Sequence, residues 1–138
     1  MNIDKFKQQH VEILTCVSTL RRLSQGGVAK NAHEIAQQII KMSAIIKMHL
    51  AIEDKSLYPA LARSHDGEMV TKGRQFQLEM GTIASSYEKF AYKWNTAQKL
   101  QGDEEGFRAD ANVVLRRLHE RMQRENVDLY PKVEALVV

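Results

Sequence analysis

The chain has few residues that interrupt a backbone: two prolines and seven glycines among 138 residues. A succession of short strands needs more turn formers than that, so long helices are favoured. Its one cysteine, Cys16, has no second cysteine to pair with. An internal disulfide is excluded, and a reducing compartment, the cytoplasm, is the expected location. No segment approaches the roughly 20 apolar residues that a bilayer span needs. The opening MNIDKFKQQH carries no apolar stretch of the secretory kind. Strong charge of one sign is also missing, the net value being +3. Arg116, Arg117, Arg121 and Arg124 cluster, but Glu120 and Glu125 lie among them. That mixture reads as a solvated helix face and argues against nucleic acid as a partner. A hydrophobic content of 43% with 27% charged residues describes a soluble globular domain covering 1–138, long enough to bury a core.

What is present is helical periodicity. Apolar residues recur at steps of three and four in four blocks. The first carries Ile3, Phe6, His10, Ile13, Val17 and Leu20. Gly26 and Gly27 then make a loop, and Asn31 with Glu34 forms the pattern of a helix cap and its reciprocal partner. The second block runs through Ile35, Ile39, Met42, Ile46, His49, Glu53 and Leu57, with Pro59 expected to kink or end it. The third holds Met69, Gly73, Phe76, Met80, Ile83, Tyr87, Phe90 and Trp94, with Trp94 facing the core and Tyr92 exposed; LQGDEEG is read as the loop that closes it. The fourth runs through Phe107, Ala111, Val114, Leu118, Arg121, Glu125 and Leu129, and Asp103, Glu104 and Glu105 suit its start. The expected fold is all-α, an up-down-up-down four-helix bundle.

Some residues on these stripes do not belong in hydrocarbon. His10 sits near the centre of the first stripe, and His49 and Glu53 lie one turn apart on the second, facing the same interior volume. Glu125 lies about 30° from the midline of the fourth. Buried ionisable groups must be paired, neutralised or bound to metal. Two imidazoles and two carboxylates suit iron, manganese or zinc. His33 and His65 fall in loop or helix-end contexts and read as surface residues, and Cys16 reads as packing.

The second-block segment HLAIEDKSLYP, His49 to Pro59, has a near-copy in RMQRENVDLYP, Arg121 to Pro131. Glu53 matches Glu125 and the Leu-Tyr-Pro endings match, while His49 is replaced by Arg121. Together with QQHVEIL around His10, these segments resemble the hemerythrin-like family, whose members carry a histidine-histidine-glutamate cation-binding motif. The resemblance covers nearly the whole chain. It implies a four-helix fold, non-haem iron, and ligand roles for His10, His49, Glu53 and Glu125. It further implies dioxygen or nitric oxide binding, redox sensing or iron handling.

Two histidines that the family would supply are missing: Met80 stands at the third-helix position and Arg121 at the fourth. Methionine is a poor ligand for ferric iron, and arginine cannot lose its proton to ligate. His119 projects about 160° away from Arg121 and would serve only on a rotated helix. A single ion is therefore expected in preference to two. The first reading is a metal-binding protein holding one iron with a small gas ligand. The alternative is a metal-free structural or partner-binding bundle in which Arg121 bridges Glu53 and Glu125 and a histidine near them carries a proton. Neither reading is of an enzyme, because no nucleophile stands beside a base and no Gly-rich phosphate loop follows a strand.

Overall fold

The computed structural model describes residues 1–136, and among them there is helix and no strand. Four long helices form the frame: α1 (Asp4–Gln25), α2 (Ala32–Ile52), α4 (Gly67–Trp94) and α6 (Glu104–Arg124). Three short ones accompany them: α3 (Tyr58–Ala62), α5 (Ala97–Gly102) and α7 (Tyr130–Glu134). Helix α1 packs on α2, α2 on α4, α4 on α6, and α6 back on α1. Chain neighbours joined by short connections thus close an up-down-up-down bundle, as the periodicity predicts. Among the described residues, no helix is long and apolar enough to cross a membrane.

Local chemistry sets several of the helix ends. Asp66 Oδ1 accepts from the Glu68 amide and Asp103 Oδ1 from the Gly106 amide, each capping the helix that follows. Gly27 turns the chain between α1 and α2 with φ 118, a conformation that glycine adopts freely. Gly73 lets α3 approach α4 closely, since a Cβ there would meet the Leu61 Cβ at 2.9 Å.

The capping expectation at Asn31 requires correction. Asn31 holds the N-cap position of α2 without a side-chain cap bond, its Nδ2 donating instead to the Leu23 carbonyl and tying the loop to α1. The segment that closes the third block overlaps the end of α5, which is capped by Thr96 and anchored by the fully buried Leu100, and Asp103 then caps α6 as expected. Trp94 is core-facing, its Nε1 donating to Asp110, and Tyr92 is exposed.

Pro59 does not end the helix. The helix widens into a π turn over Glu53–Leu57, closed by the Tyr58 amide donating to the Glu53 carbonyl, and then continues as α3. The second copy of the motif does the same over Glu125–Leu129, Tyr130 donating to the Glu125 carbonyl before Pro131. A proline ring removes one amide donor and crowds the carbonyl four residues back, and a wider turn accommodates both.

The core has two parts. The larger includes Leu20, Ile35, Ile39, Met42, Met80, Phe107 and Leu118, and the smaller Phe6, Leu57, Leu61, Phe76, Leu129 and Val133. Along α1, α2 and α6 the buried polar residues fall between them. His10 lies between Phe6 and Ile13, His49 between Ile46 and Leu57, and Arg121 between Leu118 and Leu129.

Candidate metal centre

The four ionisable residues singled out from the stripes do meet. His10, His49, Glu53 and Glu125 are all buried, and one ligand atom from each lies within 4.8 Å of the others. His10 Nε2 stands 3.1 Å from His49 Nε2 and 2.8 Å from Glu125 Oε1. His49 Nε2 stands 3.3 Å from Glu53 Oε2 and 3.5 Å from Glu125 Oε1. These separations match the edges of one coordination shell: ligands about 2.1 Å from a common ion stand about 3.0 Å apart at right angles and about 3.4 Å apart at tetrahedral angles.

The outer nitrogens of both imidazoles are already occupied. His10 Nδ1 lies 2.9 Å from the Asn126 side-chain oxygen, and His49 Nδ1 lies 2.7 Å from that of Gln9. An amide oxygen only accepts, so each Nδ1 carries the hydrogen and each Nε2 turns a lone pair inward. Two lone pairs 3.1 Å apart, beside two carboxylates, repel unless a cation sits among them. That cation is a proton or a metal.

Electrostatics agrees. Burial alone would lower the His49 pKa, but hydrogen bonds and charge from Glu125 and Glu53 overcome it and raise the value to about 9. For Glu125, burial is likewise outweighed. Its contacts with His10, His49 and Arg121 hold the carboxyl well below the ordinary range. Burial wins at Glu53 and, with the Glu125 charge, pushes its carboxyl up despite His49. Glu53 Oε1 is buried and has no hydrogen-bond partner. The shifts at His49 and Glu53 both favour a proton at this pair in the metal-free protein.

Arg121 behaves differently from the expectation that it bridges the two carboxylates. Its Nε donates to Glu125 Oε2 at 2.9 Å, but nothing from it reaches Glu53. The remaining donors go to Tyr58, the Phe76 carbonyl and Glu79, and the guanidinium lies over the Phe76 ring, 4.4 Å from its centroid. Packing on α4 decides this, because the Phe76 carbonyl and Glu79 face Arg121 across the bundle. Glu79 is half exposed and also binds Arg124. The Glu125 carboxylate is thus divided, one oxygen toward the imidazoles and the other toward a fixed cation.

Met80 is fully buried in the larger apolar cluster. His119, His33 and His65 are exposed, so α6 is not rotated to bring a third imidazole inward. Cys16 is buried, and burial pushes its thiol up.

Sequence reasoning missed Gln9, Asn126, Glu79 and the role of Tyr130. Gln9 and Asn126 each adjoin a predicted ligand, His10 and Glu125, but stripe periodicity does not select an amide one step off the midline. Tyr130 had a signal in the repeated Leu-Tyr-Pro ending. Its hydroxyl lies 2.8 Å from His10 Nε2, 3.0 Å from Glu53 Oε2 and 3.2 Å from Glu125 Oε1.

One ion fits this donor set: hard carboxylate oxygens, two oriented imidazoles and an unpartnered buried carboxylate oxygen. The permanently charged Arg121 occupies the far side of Glu125, and Met80 offers no hard donor. The hemerythrin HHE cation-binding domain family matches residues 1–133, and the chain belongs to that family. No curated protein and no solved structure gave a match.

Proposed function

We propose that this hemerythrin-family chain binds a single non-haem iron-type ion through His10, His49, Glu53 and Glu125, as a binding or sensing module in the cytoplasm and not as an enzyme. The observation that carries the reading is the facing pair of Nε2 atoms, each presented by an amide that holds the opposite ring nitrogen. Bound iron would supply one-electron redox chemistry and a coordination position for a small ligand such as dioxygen or nitric oxide. The protein's own part is to orient four donors, exclude bulk water through near-complete burial of the site, and limit nuclearity through Arg121. Glu125 is held ionised and ready to bind, while the proton near His49 must leave as the ion enters, which makes binding tighter at higher pH. Elemental analysis of tag-free protein after growth with added iron tests this: about one equivalent per chain is expected, and below about a tenth counts against it.

One observation favours a second reading. Glu53, Glu125 and Arg121 sum to one negative charge, which a proton on His49 cancels. A metal-free bundle is therefore electrically closed and would serve as a structural or partner-binding module. Histidine NMR separates the two readings, since the metal-free form keeps an imidazolium at pH 7.

A further inference from the structure

The chain has one more oxygen among the ligand atoms than the family motif supplies. Tyr130 is completely buried, and its hydroxyl sits 2.8, 3.0 and 3.2 Å from donors on His10, Glu53 and Glu125. These are the same separations that hold the four ligands to one another. A phenol has one proton to give, so of these three neighbours two are left facing another electron-rich oxygen.

The second π turn makes the placement. In an unbroken α-helix Tyr130 would stand about 140° round from Glu125. Closing the backbone ring at five residues brings position 130 onto the face of position 125, with the Tyr130 amide on the Glu125 carbonyl. The ring is then fixed by stacking on His10, centroids 4.9 Å apart at 25°, and by Phe6 at 6.1 Å.

The charge count is decisive. Two carboxylates and Arg121 leave one negative charge, so a divalent ion with neutral imidazoles would leave the buried site at plus one. Glu79 and Arg124 cancel each other at the surface. One further anion neutralises the centre, and buried net charge is costly. The geometry points to Tyr130 as a fifth metal ligand, its phenolate oxygen binding the same ion as His10, His49, Glu53 and Glu125. On binding, the O–H bond breaks, its electron pair forms the bond to the ion, and the proton leaves for solvent.

The inference rests on the single-ion reading, and the test separates the two. Tag-free protein is loaded anaerobically with iron(II) and oxidised with ferricyanide, which accepts one electron per iron. The ferric form should show a visible phenolate-to-iron charge-transfer band, with phenolate ring modes in resonance Raman excited within it. Tyr130→Phe should lose the band while still binding one iron, and Tyr58→Phe should keep it. Iron bound in the wild type without the band, or a band surviving in Tyr130→Phe, overturns Tyr130 as a ligand and leaves single-ion binding intact. Failure of the wild type to bind iron overturns both. The Raman measurement on wild type decides the matter if Tyr130→Phe does not fold.

Discussion

The two copies of the repeated motif share a backbone and differ in charge. In each, an α-helix widens into a π turn at a buried glutamate, and a tyrosine and a proline follow. In the first copy, the residue four before the glutamate is His49, which faces the centre. In the second it is Arg121, which grips the outer oxygen of Glu125 and sends its other donors to α4. The tyrosines cross over accordingly: Tyr130 enters the imidazole-carboxylate cluster, while Tyr58 accepts a hydrogen bond from Arg121. One frame therefore builds half of a metal site in one place and a fixed cation in the other. At matching positions of the two copies, one side chain could ligate and the other carries a permanent charge.

Removing the cation of the second copy should have the largest effect. Arg121→Met leaves the buried Glu125 without its guanidinium, and loss of one partner of a buried pair costs roughly 3–5 kcal/mol. Urea unfolding should show a lower midpoint and a loss of unfolding free energy of that size. An unchanged midpoint would mean that Glu125 draws its support from the imidazoles alone.

The first copy makes a prediction in pH. Because His49 is raised from 6.5 to about 9 in the folded protein, its protonated form stabilises the metal-free fold in full below about pH 6.5. That contribution is lost as pH rises through 9, a decline of about 3 kcal/mol. His10, Glu53 and Glu125 face the same ring. His49→Gln should flatten the decline, and bound metal, which displaces the proton, should abolish it. Denaturation curves at pH 6 and pH 9, with and without iron, measure all three.

A smaller effect is expected at the amide that orients His49. Gln9→Leu leaves the buried Nδ1–H without an acceptor, costing about 1–3 kcal/mol. It should also weaken metal binding by about 10–100-fold, which competition against a chelator would read. Equal affinity in the variant would show that the packing of α2 orients the ring without Gln9.

The bundle was legible because its stripes are long and regular. Each of the predicted polar intruders His10, His49, Glu53 and Glu125 is buried at the centre. Less legible was anything depending on helix-to-helix register. That Arg121 reaches Glu79 and the Phe76 carbonyl in preference to Glu53 follows from how α4 lies against α6, and neither stripe contains that offset. The π turns were invisible for a related reason. Proline signals a disturbance, but a break, a kink and a widened turn satisfy its missing amide equally well until tertiary packing chooses. Gln9 and Asn126 escaped because their roles belong to their neighbours' rings.

The most direct test of the central claim is nitrogen NMR of the histidine side chains during an anaerobic iron(II) titration. The account predicts that His10 and His49 respond together and that both titrations end at one equivalent, His49 passing from imidazolium to a metal-bound neutral ring. A His49 that remains imidazolium with iron in excess, or a second equivalent bound within the same pocket, would contradict it.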